Sequence, residues 1–320
     1  MKIELSECNK MYGIFFSTVF FFLLCGCNED QKLVSVTDSP ASGTIQISVD
    51  ESFKPVIEEQ IKVYEASFPG TKINATYKSE AACLKDLFSD AATRLVITTR
   101  GLTYKEAKYF EDTLHYVPRS EKIASDAIAI VINSNSTDSL FTLAGLQNLF
   151  TGAAKGNKKI VFDGLTATST VRFAMDSILK GKKFDSNTVK AVKSSREVLD
   201  YVASDINAIG FTGISWIGNP EDTTQLRLLK KIKICYVKCE VCLDSAYVKP
   251  TQMGIMTRRY PMVRGLYYIL KENYSGLGSG FASFLQYERG QLIFRRAYLW
   301  PAAMSFNYRN VHLNQKLKKE

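Results

Sequence analysis

A chain of 320 residues holds enough material for two domains of ordinary size with buried cores. Hydrophobic residues at 46% against 23% charged exclude a disordered chain. The net charge of +9 admits nucleic acid, a membrane surface or small anions as partners. Nucleic acid is set aside because no uninterrupted basic block exists: the densest stretch, residues 227–233 (RLLKKIK), breaks its four charges with apolar residues.

Residues 13–24 (GIFFSTVFFFLL) form an apolar run of signal-peptide length, short for a membrane span. The segment before it mixes Lys2 and Lys10 with Glu4 and Glu7. Leu24-Cys25-Gly26-Cys27 resembles a bacterial lipobox, which implies cleavage before Cys27 and lipid on that cysteine. A plain secretory signal or an uncleaved anchor is the alternative. Residues 1–26 are therefore assigned to the signal, and 27–43 to the lipid-bearing start and a polar linker. Of seven cysteines, Cys83, Cys235, Cys239 and Cys242 then remain in the folded part. Export permits disulfides, so one bridge is expected, Cys239 with Cys242 or Cys235 with one of them. The C-x-x-x-C-x-x-C spacing would also suit a metal, but it lacks a nearby fourth ligand. His115 and His312, the two histidines, lie elsewhere. No metal and no cofactor is expected.

Residues 44–49 (TIQISV) alternate like a strand. Phe53, Val56, Ile57, Ile61, Tyr64 and Phe68 then follow helical spacing up to Pro69-Gly70. A second strand is predicted at 72–77, a helix after Ser79, and a third strand at 94–98. Thr103 with Glu106 makes a capping box for the next helix. This β-α-β-α-β-α order predicts a largely parallel sheet covered on both faces. A crossover near 116–124 leads to the buried-strand run 126–133 (DAIAIVIN) and a helix around 143–150. Further along come a helix from Ser194, a strand at 208–214, a helix carrying Leu266, Tyr267, Ile269 and Leu270, and another with Phe281, Phe284 and Leu285.

Between these lies residues 159–172 (KIVFDGLTATSTVR), a short β-rich run broken by Asp163-Gly164. Thr166, Thr168, Ser169 and Thr170 follow, then an amphipathic start with Val171, Phe173, Ile178 and Leu179. A strand feeding small hydroxyl residues and a helix start is an anion-site layout, because the first helical N–H groups lack internal partners and that end is positive. Arg172 adds a full charge. An ordinary N-cap fits the same residues.

Several stretches taken together resemble the phosphate-binding periplasmic proteins of bacterial ABC transporters. TLAGLQNLFTG (142–152) is similar to that family's L-T-x-x-Q-L-x-x-I-F-x-G helix, and NAIGFTG (207–213) to its A-I-G-Y-x-G strand. YPMVRGLY (260–267) resembles Y-P-L-x-R-P-L-Y, and residues 281–291 resemble F-x-x-F…G-Q. The order is kept over nearly all of 44–305. The resemblance implies an α/β, type II periplasmic-binding-protein fold, with two lobes joined by two crossovers and the ligand in the cleft between them. Residues 44–118 and 246–306 would form one lobe, 119–245 the other with the crossovers, and 307–320 a tail. It also implies a monomeric solute-binding lipoprotein, anchored by lipid in the bacterial periplasm, that delivers phosphate or a similar tetrahedral oxyanion to an ABC permease. A sensor or surface adhesin on the same fold, uncoupled to transport, is the alternative.

The resemblance places the ligand on Ser52, the Phe53 N–H, Ser79, Thr99, Thr168, Ser169 and Thr170. Two positions depart from the family: Gly164 stands where its arginine would be, and Thr99 where its aspartate would be. That aspartate accepts the proton of hydrogen phosphate and repels sulfate, so selectivity between the two is expected to relax. Arg100 and Arg172 are candidates for the missing positive charge; a surface charge or an ion pair with a nearby carboxylate is the other reading of each. An enzyme is not expected. The chain has no G-x-S-x-G elbow, and GAAKGNKK (152–159) lacks the Lys-Ser/Thr end of a P-loop.

Overall fold

The computed structural model describes residues 38–303 apart from 155, 165 and 166. The 13–24 run, Cys27, Thr166 and the 307–320 tail lie outside the described residues. Strands β1 (Ser42–Asp50), β2 (Gly70–Lys78) and β3 (Thr93–Thr98) pair in parallel in the order β2-β1-β3. Each is followed by a helix: α1 (Lys54–Ser67), α2 (Glu80–Ser89) and α3 (Tyr104–Leu114). Local chemistry sets their starts. The Ser79 hydroxyl accepts from the Ala82 N–H, and Thr103 and Glu106 make both bonds of the capping box.

The strand β4 (Arg119–Asn133) runs through the region expected to be a crossover and organises the rest of the sheet. Its first part pairs antiparallel with β12 (Val263–Leu270), from Leu270 opposite Arg119 to Val263 opposite Ala127. Its second part, from Ile128 on, pairs with β8 (Ala208–Gly213) and with β9 (Ile232–Ile234). The strands β6 (Lys159–Phe162) and β7 (Val189–Ala191) extend β8 in parallel. The order is β2-β1-β3-β12-β4-β8-β6-β7. Two parallel trios, one per lobe, therefore flank an antiparallel centre; the β-α-β-α-β-α run at the start forms the parallel part expected of it, and β12, β4 and β8 make the antiparallel pairs.

One expected element changes type. Leu266, Tyr267, Ile269 and Leu270, read as a helix, belong to the strand β12. Lying between β3 and β4, it is buried along most of its length and its apolar residues run on without alternating. A short apolar run of that kind carries no period that separates strand from helix.

In the second lobe, α4 (Leu143–Phe150) and α6 (Ser195–Ser204) cover the sheet. A ring cluster fixes the strands beneath: Phe162 stacks on Phe211 at 4.8 Å and Phe150 meets Phe211 edge-on at 5.2 Å. The helix α5 (Ser169–Phe173) continues into a π-helical turn, Ala174–Leu179. A second, small sheet joins β5 (Leu140–Phe141) to β10 (Tyr236–Lys238) and β11 (Tyr247–Val248).

The tip connecting β10 and β11 carries the Cys239–Cys242 disulfide, with Cα atoms 5.5 Å apart. Cys83 and Cys235 are free and buried, and burial pushes both thiols up, Cys235 to about 12. So short a loop takes little entropy from the unfolded chain. Replacing both bridged cysteines by serine should lower stability by no more than roughly 2 kcal/mol in denaturant melts. A larger loss would mean that the bridge holds native packing together.

Candidate functional site

The parallel trios of both lobes direct their carboxyl ends at one cleft, the place where open α/β sheets take ligands. Asp50 closes β1, Thr99 follows β3, Asp163 follows β6, and Gly213 closes β8. A 3-10 turn, Glu51–Phe53, carries Ser52 and Phe53 into the cleft, its start capped by the Asp50 carboxylate, which accepts from the Ser52 N–H at 3.1 Å. From the other lobe Thr168 caps α5, which brings Ser169 and Thr170, and α6 starts at Ser195.

The hydroxyls converge on a carboxylate. Asp163 Oδ1 accepts from Thr168 Oγ1 at 2.9 Å, and Oδ2 lies 3.4 Å from Ser195 Oγ and 3.5 Å from Ser52 Oγ and Thr170 Oγ1. Ser52 and Ser169 face each other across the cleft, Oγ to Oγ 3.4 Å. Ser52, Phe53, Ser169 and Ser195 are wholly buried. Glu51 reaches over to accept from the Ser195 N–H and, at 2.8 Å, from its hydroxyl.

Arg264 of β12 supplies the buried positive charge. Its Nε donates to Asp126 Oδ2 at 2.8 Å, and its Nη1 to Ser169 Oγ at 2.8 Å and Thr170 Oγ1 at 3.3 Å. The guanidinium lies 5.0 Å over the Phe53 ring. Nη2 has no hydrogen-bond partner among the described residues, and neither has Asp50 Oδ2. Gly213 lets the arginine through: a Cβ there would stand 3.2 Å from both Nη2 and the Ser52 carbonyl oxygen.

Burial raises the pKa of Asp50 to about 7, with Arg264 opposing and Glu80 reinforcing the shift. Burial likewise raises Asp126 against the pull of Arg264, and Asp163 against the hydroxyl of Thr168 and the charge of Arg264. The cleft thus offers hydroxyl and guanidinium donors beside carboxyls that are easily protonated. Such a set suits a small solute that has acceptor oxygens and at least one proton of its own.

The expected residues divide between places. Ser52, Phe53, Thr168, Ser169 and Thr170 come together around Asp163 and Arg264. Thr99 and Arg172 meet at the seam between the lobes, both bound to Glu80. Ser79 spends its hydroxyl on the α2 cap. Arg100 pairs with Glu106 through two bonds of 2.7 Å, out of the hydroxyl cluster. At Gly164 a Cβ would stand 2.8 Å from Thr168 Cγ2, so an arginine there would have to push the Thr168 side chain aside.

Sequence reading missed Arg264, Asp50, Asp126, Asp163, Ser195 and Glu80. A signal existed for Arg264, which is the arginine of YPMVRGLY, and for Asp163, which was read only as the residue ending a strand. Among the described residues no cluster of histidine, cysteine and carboxylate side chains could hold a metal ion, and no helix is long and apolar enough to cross a membrane.

The chain is 26% identical over 196 residues to YvgL of Bacillus subtilis (strain 168), whose name reads ABC transporter substrate-binding lipoprotein; the match covers 60% of this chain and 70% of YvgL. Among solved structures it resembles a phosphate ABC transporter substrate-binding protein with bound phosphate from Clostridium perfringens. That likeness has a TM-score of 0.66 and 20% identity, covering 81% of this chain and 99% of the other. An ABC-type phosphate transport receptor from Vibrio cholerae matches with a TM-score of 0.57 and 19% identity over 80% of this chain and 99% of its own. At such identities the two structures establish the shared fold. The PBP superfamily domain model matches residues 34–289, spanning both lobes and every residue of the cleft, and the chain therefore belongs to the PBP superfamily.

Proposed function

We propose that the protein is the solute-binding lipoprotein of an ABC transporter, and that its solute is hydrogen phosphate or a similar protonated tetrahedral oxyanion. In this reading it binds and does not catalyse. It is a monomer, held at the cell envelope through lipid on Cys27, and presents its solute to a membrane permease. The lobes divide near residues 118 and 246. YvgL and the phosphate-binding structures support the class of protein.

The observation that carries the choice of solute is Arg264 Nη2, buried and unpaired beside the Ser169 and Thr170 hydroxyls, in a cleft where Asp50 Oδ2 is also unpaired. Buried polar atoms without partners are costly, so a solute supplying both an acceptor and a donor is favoured there. Ser52, Ser169, Thr170 and Arg264 donate to its oxygens, while Asp163 accepts its proton. Asp163 thereby does the work expected of an aspartate at position 99, and sulfate, with no proton to give, is repelled.

Phosphate at a hundredfold excess over its dissociation constant should stabilise the protein by ~2.7 kcal/mol in thermal melts, and sulfate should not. Asp163→Asn should bring sulfate affinity close to that for phosphate. If no oxyanion at millimolar concentration shifts melting, the choice of solute is wrong. If sulfate already equals phosphate in the unmodified protein, Asp163 does not select.

A further inference from the structure

We propose that Arg172, Glu80 and Thr99 form a latch that shuts the cleft without any solute, with Arg172 controlling entry instead of touching the bound molecule. The inference rests on solute capture by closure of two lobes, though not on which solute is captured.

Arg172 belongs to α5 of the second lobe. Glu80, the first residue of α2, and Thr99, just after β3, belong to the first lobe. Arg172 Nε donates to Glu80 Oε2 at 2.6 Å, and Nη2 to Glu80 Oε1 at 3.3 Å and Thr99 Oγ1 at 2.6 Å. Nη1 faces Asp176 at 3.6 Å. Every nitrogen of the guanidinium is therefore turned to a protein acceptor. Glu80 is fully engaged as well, since the Thr99 N–H donates to it at 2.9 Å and the Thr99 hydroxyl also donates to Oε1.

Burial opposes the charge on Glu80, yet Arg172 and Thr99 hold its pKa below the ordinary carboxylate value. The same seam is closed by a backbone bond, the Ala81 N–H to the Ala167 carbonyl at 3.2 Å, and at its far end by Glu51 holding Ser195.

These bonds exist only when the lobes are together. A contact formed in one of two conformations shifts the balance toward it by its full differential free energy. Charge-assisted, forked bonds around a carboxylate whose side chain is only 3% exposed are strong for polar contacts between the lobes. Solute must pass through the open form, so the latch lowers the fraction of molecules able to admit it. Breaking the latch should quicken entry and exit alike. A residue that merely touched the solute would change exit and leave entry alone.

Glu80→Gln separates the two roles. Were Arg172 a ligand for the anion, removing the neighbouring negative charge would free it and tighten binding. As a latch partner, Glu80 lost means a cleft that opens.

The experiment measures the distance between spin labels placed on the two lobes of the full chain, without solute and with phosphate, together with rapid-mixing kinetics. Without solute the unmodified protein should show the short distance seen with phosphate. Glu80→Gln and Arg172→Gln should each shift the solute-free protein to a longer distance and speed association on the order of tenfold. The double variant should go no further than either single one. A long distance in the unmodified, solute-free protein would overturn the latch, as would single variants that stay short or a Glu80→Gln that binds phosphate more tightly. If neither variant folds, the solute-free distance in the unmodified protein still decides. A closed, latched protein that ignores phosphate would sink the solute and leave the latch standing.

Discussion

Arg264→Ala should abolish solute binding and destabilise the protein by roughly 3–5 kcal/mol, the cost of leaving a buried charge without its partner. Arg264 and Asp126 are almost completely buried, and the bond between them is 2.8 Å. Arg264 is also the basic group that opposes the burial of Asp50 and of Asp163. Without it three carboxyls share a dry site with no buried cation, and they must either take up protons or open the cleft. The loss should therefore shrink as pH falls, because protonation removes the uncompensated charge. Urea melts at neutral and at mildly acidic pH test both statements. Arg264→Lys keeps a charge, but an ammonium cannot reach Asp126, Ser169 and Thr170 together in the fixed fork of a guanidinium. It should recover stability better than binding. An Arg264→Ala variant as stable as the parent at neutral pH would show that Asp126 is neutral in the folded protein.

The second large effect is a pH dependence centred on Asp50. Its pKa stands at about 7 in the folded protein, against 3.8 ordinarily, because it is buried, with Glu80 adding to the shift and Arg264 opposing it. Across that interval the folded protein holds a proton that the unfolded chain has released. The stabilising contribution is thus complete below the ordinary value and is lost as pH rises through about 7. Melting temperature without solute should fall between about pH 5 and about pH 8, and Asp50→Asn should remove most of that fall.

The charged and titratable groups facing Asp50 are Arg264, Glu80 and the Cys83 thiol, and none of the three changes its charge in this interval. Arg264 and Glu80 stay charged through this range, and burial pushes Cys83 far above it. Bound anion should raise Asp50 further, so binding takes up a proton and weakens by up to about tenfold for each pH unit of rise above neutrality. Phosphate titrates there too, but its own ionisation is common to both proteins. The difference between the parent and Asp50→Asn isolates the carboxyl. Parallel pH profiles in the two would place the proton elsewhere.

Much of the fold was legible because its signals are local. Alternation over 44–49, helical spacing from Phe53 to Phe68 and the Thr103–Glu106 capping box each act within a few residues, and the structure keeps all of them. The hydroxyl run Thr168-Ser169-Thr170 was readable as a helix start for the same reason, since a cap and its helix are neighbours in the chain. Tertiary structure decided what depends on distant partners. Leu266 to Leu270 became a strand because β3 and β4 stand on either side of them. Arg100 left the cleft because Glu106 sits in the first turn of α3, within reach of both its terminal nitrogens. Arg172 turned to Glu80, which is 92 residues away. The charge of the site came from Arg264, and its carboxyls from Asp50, Asp126 and Asp163, residues scattered over four strands or strand ends. A sequence states which side chains carry charge. Which of them lose their water together, and so must pair, protonate or wait for a solute, is settled only when two lobes close on the same few ångströms.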